Sequence, residues 1–285
     1  MIRILFVTAV LFLSFATADA QTAKSLFYKS DSLQVTEIVS ADVAQMSDLL
    51  GHAGPAVENS HMAVRLMSDD SGAIDVYSKN GRGMELLDYL WYPTAGQQDT
   101  LYVGVDGYDV ANTLGLGGIA LWDGEDVIPL KATKGRTVRV GETKKGTFAE
   151  VISYGVPYLD GTVDVSLRVD VVVKKREAVV TATEISGRQI QFVTGINYHP
   201  GQKVTYTEEY VSVWGPHPAT ESGKTFAIGA GMFYSVKTFP VLEKTEDMVR
   251  LVSRPADQVK TRILSASSKE AELNSARRFE AYMQK

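Results

Sequence analysis

The chain has four imidazoles, His52, His61, His199 and His217, and two of them sit where proton chemistry could be arranged. His61 opens the stretch His61 to Met67, where a period of two sets His61, Ala63 and Arg65 on one face. Ala73 to Lys79 repeats that period and puts Asp75, Tyr77 and Lys79 on one face. If the two strands pair, an imidazole, a guanidinium, a carboxylate, a phenol and an ammonium surround one small ligand. Such a set could move protons beside a negatively charged group. The same pattern also describes a solvated outer face laced with cross-strand ion pairs.

His199 closes a strand at Asn197-Tyr198-His199, and Pro200-Gly201 then turns the chain, which suits a loop-borne site. His217 lies in the rigid run Trp214-Gly215-Pro216-His217-Pro218. An ordinary structural histidine is the competing reading for each. His52 reads as a capping or surface residue. The glycine-rich stretch Gly104 to Gly118 carries Asp106, Tyr108, Asp109 and Asn112 and is expected to be an ordered loop lining a ligand site. Trp91 and Trp214, each beside a proline or glycine loop, are candidate ligand walls, whereas Trp122 ends an apolar strand and reads as core. No histidine pair has the spacing of a zinc-binding helix; no cofactor is expected, and a metal site assembled across strands stays open without spacing evidence for it.

The elements that must position these residues are short alternating or β-branched runs with turns between them. Val163 to Val171 alternates strictly, so one face is dry and one wet. Lys203 to Trp214 behaves similarly, and Asp69-Asp70-Ser71-Gly72, Asp123-Gly124, Asp160-Gly161 and Ser186-Gly187 mark turns. Many strands and few helices predict a mainly β chain, a large antiparallel sandwich of two sheets. Helices are expected over Ala41–Leu50, after a Ser40 cap, and along the tail from Ala256 to Met283, with an interruption near Ser265 to Ser268. Met1 to Ala20 reads as a signal peptide: Arg3, an apolar run to Phe15, then Ala18-Asp19-Ala20, with cleavage before Gln21. Residues 21–285 are expected to form a single β-sandwich domain, exported to a Gram-negative periplasm or beyond, with no later membrane span.

With 285 residues the chain can bury a large core without covalent staples. It has no cysteine, which excludes disulfides, thiol nucleophiles and Cys-bound metals. Lys and Arg number 29 against 34 Asp and Glu, a net charge of −5, which argues against nucleic acid as a partner. Gly115-Leu116-Gly117-Gly118 superficially suggests a dinucleotide loop. Ile119 to Gly124 then reads as strand and turn, so there is no helix N-terminus to hold a phosphate.

The segment from Gly107 to Gly124, GYDVANTLGLGGIALWDG, resembles the signature of a bacterial exported family known as domain of unknown function 4861. Glu58 to Arg65 and Ala73 to Lys79 agree with it, and the resemblance covers Pro55 to Met232. It implies a carbohydrate-related role connected with polysaccharide utilisation, and elimination from uronic-acid oligosaccharides is the reaction attributed to some relatives. The fold expected is a sandwich in the manner of the galactose-mutarotase-like supersandwiches.

Elimination from a uronate needs a cation to neutralise the carboxylate, a base for the C5 proton and an acid for the leaving oxygen. Arg65 or Lys79 suits the first role, His61 or His199 the second, and Tyr77 or Tyr108 the third. Trp91, Trp214, Asp109 and Asn112 would contact the acidic oligosaccharide. A hydrolase would instead use two carboxylates among Asp75, Asp106, Asp109 and Glu58. A non-catalytic carbohydrate-binding sandwich would keep only the aromatic walls.

Overall fold

The computed structural model describes residues 21–41, 46–218 and 226–285. Both the expected leader and part of the expected first helix lie outside them. The described end of that helix, Met46 to Leu50, is a single turn closed by the Leu50 amide donating to the Met46 carbonyl.

Three antiparallel sheets build the molecule. A 9-stranded sheet contains the two longest strands, Gly146–Tyr158 and Gly161–Val172, joined by a tight hairpin. Their alternate valines and leucines, from Val163 to Val171, are buried as the period of two predicts. A 4-stranded sheet is made of Thr22–Ser25, Ala56–Asn59, Ala63–Leu66 and Ile74–Tyr77. A 5-stranded sheet contains Val241–Lys244, Met248–Val252, Gln191–Asn197, Ala120–Trp122 and Val127–Ile128.

The expected mainly β sandwich is present, and one of its layers is divided. Both smaller sheets pack on the large one. They are joined by a two-residue stitch: Ile74, on the edge strand of the smaller one, bridges Gly115, and Leu116 bridges Ile196, on the middle strand of the other. Gly115 sits at φ 64°, and a Cβ there would lie 2.1 Å from the Ile74 carbonyl oxygen, so only glycine makes the stitch. One continuous core, with Val64, Ile74, Phe192, Ile196, Leu167 and Ile263 among its members, fills the space between the layers.

The tail departs from expectation. Gln258–Ser267 is a strand, and the helix is confined to Ala276–Met283. Val259, Thr261 and Ile263 are buried while Gln258, Lys260 and Arg262 are exposed, which is a period of two. The Val259–Ile263 spacing fits a helix equally well, and the sheet won because both neighbours, Ala178–Glu184 and Ala227–Phe233, offer it open edges. Among the described residues no helix is long and apolar enough to cross a membrane.

Candidate functional site

Arg65, on Ala63–Leu66, and Asp75, on the edge strand Ile74–Tyr77, face each other across the outer strand pair of the small sheet, where Ala63 also opposes Tyr77. Arg65 Nε and Nη2 donate to one oxygen of Asp75 at 2.8 and 2.5 Å. Nη2 is also 3.5 Å from Asp106. Nη1 donates to the Tyr92 hydroxyl at 2.7 Å, and the guanidinium lies 4.7 Å above the Trp91 ring. Burial disfavours the charge on Arg65, but Asp75 and Asp106 outweigh it and raise its pKa. Asp75 is pushed up to about 7: burial is the main cause, Arg65 opposes it, and the nearby negative charge of Asp106 adds to it. Two carboxylates thus share one guanidinium, and one of them holds a proton near neutrality.

This group forms the floor of a cavity of about 800 Å³ at the seam between the two smaller sheets. The loop carrying Asp106, Tyr108, Asp109 and Asn112 makes one wall, and Thr245, Asp247 and Arg250, from the turn and strand of the 5-stranded sheet, make the opposite wall. Arg65 and Arg250 are the cations of that lining, set among Asp69, Asp75, Asp106, Asp109 and Asp247. Arg250 Nε donates to Glu243 at 3.1 Å, and its guanidinium lies 5.1 Å over the half-buried Trp122 ring. Among the described residues no group of three His, Asp or Glu is placed to hold a metal ion.

Of the residues singled out from the sequence, Arg65, Asp75, Asp106, Tyr108, Asp109 and Asn112 line this cavity. Two histidines grip its wall from behind. The Asp109 amide donates to His217 Nδ1 at 3.1 Å, and His199 Nε2 lies 3.0 Å from the Asp109 carbonyl oxygen. Burial, with a smaller push from His199, lowers the His217 pKa to about 3, so this imidazole stays neutral. The Tyr108 hydroxyl is committed to Asn197 at 2.7 Å, and burial raises its pKa well above the ordinary range.

The others lie elsewhere. His61 falls in the turn before its strand, where its amide donates to Asn59 at 2.9 Å. Its ring borders a small cleft beside Arg82 and Arg176, and burial first, then those cations, lowers its pKa to about 4. Lys79 is buried on Glu58 and also donates to the Asn59 and Gly83 carbonyls. Tyr77 donates to Glu85 at 2.8 Å, and burial raises its pKa. These residues form a polar knot beneath the small sheet, in which the Glu58 carboxylate also accepts the Glu85 and Leu86 amides. Trp91 is 1% exposed and supports Arg65 from below rather than walling a ligand. Trp214 packs on Phe279 of the C-terminal helix, within a separate cluster. Arg250 was the part missing from the sequence-based set. Asp75 and Asp106 stood among the hydrolase alternatives, but Arg250 gave no signal beyond its place in a short strand.

Two solved structures overlap this chain loosely. A polysaccharide lyase gives a TM-score of 0.34 at 11% identity, covering 78% of this chain and 34% of its own. A 4-α-glucanotransferase from Thermococcus litoralis gives 0.35 at 11% identity, covering 82% and 42%. The chain therefore spans about a third of the length of the first and about two fifths of the second. No curated protein matches it by sequence. The model of one family, described as domain of unknown function (DUF4861), matches residues 15–285, nearly the whole chain, and the chain belongs to that family.

Proposed function

We propose that the cavity is the active site of an enzyme that moves protons on a uronic-acid-containing oligosaccharide, with elimination as the reaction. One observation carries this reading: Asp75, pushed up to about 7, shares the Arg65 guanidinium with Asp106. An acid and a base held side by side at one cation are what a C5 proton abstraction and a protonated leaving oxygen require. Asp75 is assigned as the acid and Asp106 as the base. Arg65 at the floor or Arg250 at the opposite wall receives the substrate carboxylate, where charge builds as the proton leaves. The family resemblance favours acidic sugars. These roles replace His61, His199, Tyr77 and Tyr108, whose positions or hydrogen bonds do not suit them.

The same pair favours a second reading. Two carboxylates at one guanidinium nitrogen also suit glycoside hydrolysis, with Asp75 protonating the leaving oxygen. The assay separates the two. Elimination creates a double bond conjugated to the carboxylate, which absorbs in the ultraviolet, whereas hydrolysis yields reducing ends without it. Ultraviolet absorbance should rise with uronate oligosaccharides, and Asp75→Asn should slow it by about 10²–10⁴-fold. Reducing ends without absorbance transfer the assignment to a hydrolase, and binding without either product makes the protein a carbohydrate-binding module. We further propose export by cleavage before Gln21, with N-terminal sequencing of the protein from its native host as the check; a mature protein beginning at Met1 refutes it.

A further inference from the structure

Asp106 lines two cavities. On one side is the Arg65 cavity, and on the other is a smaller cleft of about 250 Å³ bounded by Tyr92, Pro93, Ala95, Gln98 and Val105. Tyr92 connects them a second time, since its hydroxyl accepts from Arg65 while about half of the residue stays exposed. The ring is set there by an unusual backbone. Leu90 and Trp91 stand in succession at φ 44° and 75°, a left-handed pair without glycine. Such a turn persists only where the surroundings impose it, and here the buried Trp91 supplies the hold, wedged among Arg65, His52 and Tyr77. The next helix, Ala95–Thr100, is fixed by a capping box between Thr94 and Gln97, so the far wall of the cleft is also built.

We propose that the Tyr92 cleft is a second sugar subsite, continuous with the Arg65 cavity across Asp106, so that the substrate is an oligosaccharide straddling Asp106. This rests on the reading of the Arg65 cavity as a sugar site and adds the substrate's reach. The exposed Tyr92 face offers the flat apolar surface on which a pyranose C–H face packs, while Gln98 and Asp106 offer polar partners at its edge.

The test uses the full chain and size ladders, dimer to hexamer, of oligogalacturonate, oligoguluronate and oligoglucuronate, with affinity read by titration calorimetry. For the ladder that binds, affinity should rise roughly fivefold once the chain is long enough to cross Asp106. Ala95→Trp fills the cleft without touching Arg65. It should abolish that gain while leaving dimer affinity unchanged. Ala95→Phe, a smaller filling at the same position, replaces Ala95→Trp if the latter fails to give a native melting transition. A length gain that survives in a folded variant, or no gain in the wild type, overturns the subsite and leaves the Arg65 reading standing. If no ladder binds the wild type, both fall together.

Discussion

An ordinary aspartate titrates near 3.8, but Asp75 holds its proton to about 7. Between those values the folded chain carries a proton that the unfolded chain has released, so this group's contribution to stability falls as pH rises from about 4 to 7. Asp75→Asn should flatten that part of the stability curve, measured by urea unfolding at pH 5 and pH 8; an unchanged slope means Asp75 titrates normally. If Asp75 is the acid, the rate should also fall as pH passes about 7. The Arg65–Asp75 pairing itself was legible, because a period of two put both on facing positions. What the period could not show was that both sides of this sheet are covered. Residues 56–59, 63–66 and 74–77 are buried throughout. Alternation separates wet from dry only when one face meets water. Tyr77 and Lys79 therefore went into a buried polar knot, and His61, one turn too early, missed the face altogether.

Gly115 and Leu116 bridge the two smaller sheets, and the cavity opens along the seam they close. Gly115→Ala puts a methyl group against the Ile74 carbonyl at a backbone angle that alanine disfavours. It should destabilise by about 1–3 kcal/mol. Because the seam positions Asp106 and Asp109 opposite Arg250, ligand affinity should fall as well, read by calorimetry alongside thermal melting. A variant with native affinity and melting point would show that the seam is held elsewhere. The glycines of this loop were conspicuous in the sequence, and their rejection as a phosphate loop agrees with the strand at Ala120–Trp122 that follows them. That they join two sheets was not legible, since it depends on Ile74 and Ile196, which lie far apart along the chain. Trp214 misled for a similar reason. A tryptophan beside a glycine loop looks exposed until the C-terminal helix lays Phe279 against it.

At the scale of the whole molecule, most strands and the sandwich itself followed from local patterning. The order of strands did not, because the large sheet is assembled from pieces of the chain that are distant in sequence. Its interior strand Gln258–Ser267 lies between Ala178–Glu184 and Ala227–Phe233. Synthesis must therefore pass Ser267 before the two parts of that sheet can be joined. Until then both carry unpaired backbone edges, the template on which chains stick to one another. A chain stopped at Asp257 should accumulate as aggregate rather than as a smaller soluble protein, which separation of soluble and pelleted material after expression would reveal. Gln258–Ser267 thus serves as a completeness check: a chain cut short before it by a nonsense codon or a stalled ribosome lacks the piece that closes the sheet, and its open edges mark it for proteases instead of letting it persist as a half-active fragment.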